Sequence, residues 1–227
     1  LENKTLKLIL GDQISMDVLD DVIKVSIGQF YGIEINDFAV TVAKTALWIA
    51  ESQMMRATEE ILHTNLEFLP LRSYANIVEG NALRTDWETV VPKDRLDYIM
   101  GNPPFVGAKL CDEDQRRDKE LILGKEGGKL DYVACWYKKA AVFSALNPNI
   151  EIAFVSTNSI SQGEQVPLLW KPIFEMNYMI NFAYNTFKWE SQSNDTAAVH
   201  CVIIGYSKKQ RIKKVLYNGE RKNIVSN

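Results

Sequence analysis

The chain has 227 residues, 46% of them hydrophobic and 24% charged, with 26 Lys and Arg against 29 Asp and Glu and a net charge of −3. That length suits one domain with a substantial core, without a disulfide or metal staple, and no run of about 18 uncharged apolar residues is present to span a membrane. The near-neutral balance excludes nucleic-acid binding through bulk positive charge, so any such contact is local. Cys111, Cys135 and Cys201 are odd in number and far apart. They read as reduced cytosolic thiols, with no zinc cluster or other metal site among them. Leu1-Glu2-Asn3-Lys4 carries no initiator Met and no helix cap, and the basic stretch from Lys208 to Asn227 stops in mid-pattern. The chain reads as a piece of something longer, with a catalytic core over 1–206 and a basic linker, or the start of a following segment, over 207–227.

In chain order, Gln29 to Ile35 is aromatic and β-branched and predicts a strand, and Asn36 and Asp37 are both suited to cap the helix that follows. Ala39, Val42, Ala43, Ala46, Leu47 and Ala50 recur at helical spacing to the region of Glu60. Short strands follow at Asn76–Gly80 and at Leu96–Gly101, the latter ended by Pro103 and Pro104, which cannot donate to a ladder. After a charged stretch from Asp112 to Lys129, Leu130–Leu146 predicts an amphipathic helix ending at Asn147-Pro148. Ile150–Val155 is a strand, and Val166–Met176 a helix with Pro167 in its first turn. Met179–Tyr184 and Ala197–Tyr206 are the last strands, with Thr186 to Trp189 in the loop between them. The order βαβ, βαβα, then ββ predicts an α/β fold, a doubly wound, mostly parallel sheet with an antiparallel pair at one edge.

Ligands of such sheets sit at the carboxyl ends of strands. There the sequence places Glu34, then Asn81, then Asn102-Pro103-Pro104-Phe105. A carboxylate suits two adjacent ribose hydroxyls because it accepts both hydrogen bonds, and an amide can bond an adenine edge. The two prolines fix φ and push the residues before them away from helical conformations. Such a loop holds a side-chain amide oxygen and a backbone carbonyl close together. Two convergent acceptors match the two N–H donors of a planar exocyclic amine, and Phe105 offers a face to a flat ring. Alone, Asn-Pro-Pro is more often a rigid turn. At a strand's end after a βα unit bearing an acid, the functional reading prevails.

Phe30–Asn36, Gly80-Asn81-Ala82-Leu83 and Gly101–Phe105 resemble, in order, three motifs of S-adenosylmethionine-dependent amino-methyltransferases. The longer strings GNPPFVGAK (101–109), LDYVACWYKKA (130–140), FVSTNSISQGEQV (154–166) and FAYNTFKW (182–189) are similar to the MmeI-like DNA adenine-N6 methyltransferases, many of them fused restriction–modification enzymes. The resemblance covers about Gln29 to Tyr206. It implies a Rossmann-like fold, S-adenosylmethionine as cofactor and double-stranded DNA as partner. It assigns the ribose hydroxyls to Glu34 and the cofactor's adenine to Asn81, where many relatives carry Asp. It gives the target amine to Asn102 and the Pro103 carbonyl, within the rigid Pro103-Pro104 turn, and the flipped-out base to Phe105. Phe187 or Trp189 would meet the base's other face, with core packing an equal alternative. The family's Gly-rich cofactor loop has no counterpart among Gly11, Gly28 and Gly32. The expectation is therefore a domain missing its first βα unit, binding cofactor weakly by itself and pairing with a second copy through exposed strand edges.

His63 and His200 have no partners at metal-ligand spacing. Asp131 reads as an N-cap, and Gln162 to Gln165 as either a lining of the crevice or a cap. The run Lys208, Lys209, Arg211, Lys213, Lys214 suits a solvated linker or phosphate contacts. Asp112 to Lys129 reads as a surface loop and helix. Two rivals remain: the same chemistry on an RNA base amine or a protein glutamine, and a non-catalytic nucleic-acid-binding module of the same fold.

Overall fold

The structure, a computed structural model, describes residues 24–62, 76–189, 199–209, 211, 213–219 and 221–225. These fall into two compact units, one within Leu1–Val90 and one within Val91–Asn227. Gly11, His63 and the first two residues of the Ala197–Tyr206 run lie outside the described residues.

The first unit contains β1 (Tyr31–Glu34), α1 (Asp37–Leu62) and β2 (Asn76–Glu79). The strands pair in parallel, with Glu34 opposite Glu79, as a helical connection requires. Asn36 is the cap of α1: its Oδ1 accepts the Ala39 N–H at 2.8 Å, satisfying one of the helix's orphan donors. The half-buried stripe of α1 runs through Ala39, Ala43, Leu47, Glu51 and Met55, whereas Val42, Ala46 and Ala50, also expected on that face, are exposed. Small residues recur on both faces here, so spacing alone left the buried face underdetermined. Ile77, Leu83 and Trp87 are buried, and the Trp87 indole donates to the Ala82 carbonyl at 2.8 Å.

The second unit holds β3 (Tyr98–Gly101), α2 (Glu113–Leu123), α3 (Ala134–Phe143), β4 (Glu151–Thr157), α4 (Gln165–Glu175), β5 (Met179–Trp189), β6 (Val199–Ser207), β7 (Lys214–Asn218) and β8 (Arg221–Val225). Its sheet has the order β3-β4-β6-β5-β7-β8. The expectation of a mostly parallel sheet with its antiparallel pair at one edge is corrected. β3–β4 and β5–β7 are parallel, β4–β6, β5–β6 and β7–β8 are antiparallel, and β6 lies inside the sheet. The physical reason is burial. From Cys201 to Ser207 all but Ile203 are buried, the near-continuous apolar run of a strand covered on both faces. Its link back from β5 is too short to house a crossover helix, so it returns antiparallel.

Three further elements differ from the expectation. Thr186 to Trp189 are in β5, not in a loop. The ladder skips between Tyr184 and Phe187, so Asn185-Thr186 mark a bulge rather than a strand end. The stretch 207–227, expected as a linker, contributes β7 and β8 to the sheet. Its Lys and Arg residues mask a β-prone apolar pattern at Val215, Tyr217, Ile224 and Val225. The helix expected over 130–146 is shorter, with Leu130 to Val133 forming a turn before Ala134.

The core of this unit is an aromatic cluster between α3, α4 and the sheet. Tyr137 lies 5.2 Å from Phe154, 5.5 Å from Trp170 and 5.6 Å from Tyr206, ring centre to ring centre. Each buried polar tip finds a partner, as burial demands. The Tyr137 hydroxyl donates to the Phe154 carbonyl at 3.1 Å, Tyr206 donates to the Tyr137 carbonyl at 2.7 Å, and Trp170 donates to the Ile160 carbonyl at 2.9 Å.

Across β5–β6, Phe182 lies opposite Gly205, and a Cβ on Gly205 would come within 2.0 Å of the Phe182 ring. Gly205→Ala is expected to destabilise the fold by about 1–3 kcal/mol through overpacking, read as a lower urea midpoint. An unchanged midpoint would show that the ring moves aside freely.

Candidate functional site

Glu34 ends β1 and is half-buried. Its carbonyl accepts the Gly80 N–H at 2.7 Å, which extends the β1–β2 register one step and brings Asn81 beside the end of β1. Asn81 turns the chain out of β2. Its Oδ1 accepts the Leu83 N–H at 2.8 Å, and its carbonyl accepts from Arg84 at 2.9 Å and Thr85 at 2.8 Å. This Asx turn is a reason for an amide at this position that the sequence reading did not supply. Among the described residues the Glu34 carboxylate enters no hydrogen bond or ion pair, so both oxygens are available as acceptors. The first unit thus brings together two of the expected residues, Glu34 and Asn81.

The second unit holds the others. β3 ends at Gly101, opposite Phe154 of β4, and the chain leaves the sheet through Asn102-Pro103-Pro104-Phe105. Asn102 and Pro104 are exposed, Pro103 is buried and Phe105 is half-buried. Among the described residues neither the Asn102 amide nor the Pro103 carbonyl has a hydrogen-bond partner. Pro103 anchors the turn while the two acceptors stay open. β3, β4 and β5 run in the same direction, so their carboxyl ends lie at one end of the sheet. There Thr157 of β4 stands opposite Cys201 of β6, and Cys201 opposite Phe187 of β5. Phe187 is half-buried, and Trp189 is the last residue of β5. Both expected aromatics are therefore placed at the same end of the sheet as the Asn102 loop.

Asp131 is the residue that sequence reasoning misread. It does not cap α3, whose N-cap residue is Val133 and has no side-chain cap bond. It is 8% exposed, and its carboxylate accepts from the Ala108 N–H at 3.0 Å, Gln165 Nε2 at 3.2 Å, Thr157 Oγ1 at 3.1 Å and Ser159 Oγ. Two signals in the sequence point there: a Ser/Thr-rich exit from β4, and an acid placed too early for its helix. Gln165 returns the contact, its Oε1 accepting the Asp131 N–H at 3.1 Å, while Glu164 pairs instead with Lys129 at 2.9 Å.

Several charged residues are tied to the fold. Lys208 donates to the Ala145 carbonyl at 2.7 Å and lies 5.2 Å from the Tyr178 ring centre, and Arg211 pairs with Glu151. The expected solvated basic run is in these two residues a set of intramolecular anchors. Within 112–129, α2 carries a capping box between Asp112 and Gln115. Asp118 and Lys119, expected at a surface, are buried. The Tyr132 hydroxyl donates to Asp118 at 2.7 Å, and Lys119 donates to the Gly128 carbonyl at 3.1 Å. His200 is exposed in β6, opposite Lys188. Among the described residues no cluster of His, Cys, Asp and Glu is arranged to hold a metal, and no helix is long and apolar enough to cross a membrane.

One α/β unit with Glu34 and Asn81 at strand ends, and a second with a mixed sheet and an Asn-Pro-Pro-Phe turn, are in keeping with a methyltransferase domain. Comparison with known proteins makes this specific. The family described as MmeI, DNA-methyltransferase domain, matches residues 1–218, and the chain belongs to that family. It is 40% identical over 230 residues to DNA methyltransferase A of Bacillus subtilis (strain 168), an alignment that covers 99% of the chain and 25% of that protein. It is similar to the solved structure of the Type IIL restriction–modification enzyme MmeI in complex with DNA, at 39% identity and a TM-score of 0.88, covering 99% of the chain and 31% of that protein. The chain thus spans between a quarter and a third of the length of these relatives.

All three cysteines are free and buried. Burial pushes the Cys135 thiol up to about 12, so its thiolate is scarce at neutral pH. Iodoacetamide at pH 8 is expected to alkylate the native protein at least ~100-fold more slowly than the urea-unfolded chain. Rapid alkylation of Cys135 in the native state would contradict this environment.

Proposed function

We propose that this chain is the catalytic domain of a DNA adenine-N6 methyltransferase using S-adenosylmethionine, within a restriction–modification polypeptide. The observation that carries the reading is the Asn102–Phe105 turn, in which two open acceptors, the Asn102 amide oxygen and the Pro103 carbonyl, leave the carboxyl end of β3 with an aromatic ring directly following.

The residues of the first unit fit the cofactor. The half-buried Glu34 carboxylate offers two acceptors for adjacent ribose hydroxyls, and Asn81 stands at the neighbouring strand end for the adenine. When bound, the cofactor supplies an electrophilic methyl group. Among the described residues β3 is an edge strand of its sheet, which suits self-association of the isolated chain.

The chain's own chemistry is orientation. Asn102 Oδ1 and the Pro103 carbonyl accept the two N–H donors of adenine N6, holding that nitrogen's lone pair out of conjugation with the ring. Phe105 stacks on the base, which leaves the duplex to be reached, and Phe187 or Trp189 meets its other face. A neutral amine held in this way needs no general base of the His or Cys kind.

The reading is tested by incubating the full-length protein with methyl-labelled S-adenosylmethionine and duplex DNA, RNA or protein acceptors side by side. Label is expected in duplex DNA, recovered as N6-methyladenine on nucleoside digestion. Label in RNA or in a protein glutamine would move the substrate elsewhere, and no label in any acceptor would favour a non-catalytic binding module.

A further inference from the structure

Asp131 lies outside the set of acceptors and aromatics assigned to the amine and its base, yet it is the most heavily bonded side chain near them. A carboxylate has about four lone-pair sites, and all four are filled. Oδ1 takes the Ala108 N–H at 3.0 Å and Gln165 Nε2 at 3.2 Å, and Oδ2 takes Thr157 Oγ1 at 3.1 Å and the Ser159 hydroxyl. The two hydroxyls are themselves 2.8 Å apart. Among the described residues Asp131 forms no ion pair, and at 8% exposure its carboxylate is held by N–H and O–H groups. With every acceptor site used, it has none left to take a proton from a substrate.

The filled sites come from three segments. Ala108 lies three residues past Phe105, Thr157 and Ser159 stand at the carboxyl end of β4, and Gln165 opens α4. Next to Asp131, the Tyr132 N–H donates to the Val106 carbonyl at 2.9 Å. The chain after Phe105 is thus pinned at Val106 and at Ala108, on both sides of Gly107. Within Asn102–Phe105 itself Pro103 and Pro104 have no N–H to donate, so half of the turn's backbone donors are missing.

We propose that Asp131 is the positioning residue of the Asn102–Phe105 turn: it transfers the fixed geometry of the β4 end and of α4 to the acceptors that hold the target amine. This rests on the function proposed above for those acceptors. Asn at this position keeps an oxygen for Ala108 and Gln165. Its amide then donates to a hydroxyl oxygen, the hydroxyl proton turning to its neighbour. Ala removes every bond.

The test uses the full-length protein with Asp131→Ala, Asp131→Asn and Ser159→Ala. Asp131→Ala is expected to lower kcat for DNA methylation by ~30-fold or more while the KM for S-adenosylmethionine stays within ~3-fold, because misplacement by about an ångström at a reacting group costs rate rather than remote binding. Asp131→Asn is expected to recover most of that loss. Hydrogen exchange gives a readout free of activity: the Ala108 amide is expected to exchange at least ~10-fold faster in Asp131→Ala and near the wild-type rate in Asp131→Asn. Should Asp131→Ala not fold, Ser159→Ala, which removes one donor of four, is expected to lower kcat by ~3-fold or more at unchanged KM. The proposal is overturned if folded Asp131→Ala keeps kcat within twofold, if Ala and Asn lose activity equally, or if Ala108 exchange is unchanged. A wild-type protein that methylates no DNA while Ala108 exchange responds as expected would count against the proposed function and leave the positioning intact.

Discussion

A turn built on two prolines has few backbone donors with which to fasten itself. Pro103 and Pro104 lack the N–H groups through which a chain segment normally attaches to a sheet, and the ladder of β3 stops at Gly101. The turn's rigidity is internal, and its orientation has to come from its flanks. On one side that is the parallel pairing of Gly101 with Phe154. On the other it is the pair of bonds from Tyr132 to Val106 and from Ala108 to Asp131. Much of the second unit follows from the need to hold those two flanks in fixed relation.

The aromatic cluster meets that need. α3 begins three residues after Asp131 and lays Tyr137 over Phe154. The Tyr137 hydroxyl bonds both the Phe154 carbonyl and Ser156 Oγ. One side chain therefore couples the helix that follows Asp131 to the strand that pairs with β3. Tyr206 bonds the Tyr137 carbonyl at 2.7 Å and ties the interior strand β6 to the same helix. Burying hydroxyls is costly unless they are paired, and here the pairing is what selects the helix position. A reversed β6 in the middle of the sheet also leaves β3, β4 and β5 pointing the same way, so their carboxyl ends meet at one end.

The sequence announced elements more readily than their arrangement. Strands at 31–34, 98–101 and 151–157, the Asn36 cap and the proline-tolerant start of α4 were legible because their signals are local: β-branched runs, a capping side chain, a proline where no donor is needed. The place of β6 was not read, although its apolar run on both faces was in view, because alternation of α and β suggested an edge pair instead. β7 and β8 were hidden by Lys and Arg, which say nothing about backbone pairing. Of the candidate site, the placement of Glu34, Asn81 and the Asn102 turn at strand ends was legible, because the strands before them carry local signals. Asp131 was taken for a cap because its partners at 108, 157, 159 and 165 are close only after folding. Phe187 and Trp189 were seen as aromatics but put in a loop, since the bulge at Asn185-Thr186 looks like a strand end in one dimension.

The central claim is that the Asn102 amide holds the amine that is methylated. It is tested most directly by single-turnover methylation of a duplex by the full-length protein carrying Asn102→Ala, with duplex binding measured alongside. The account predicts a rate at least ~100-fold below wild type, the scale on which loss of one positioned hydrogen-bonding group acts on a transition state, with duplex affinity little changed. Methylation at the wild-type rate by the folded variant would contradict it.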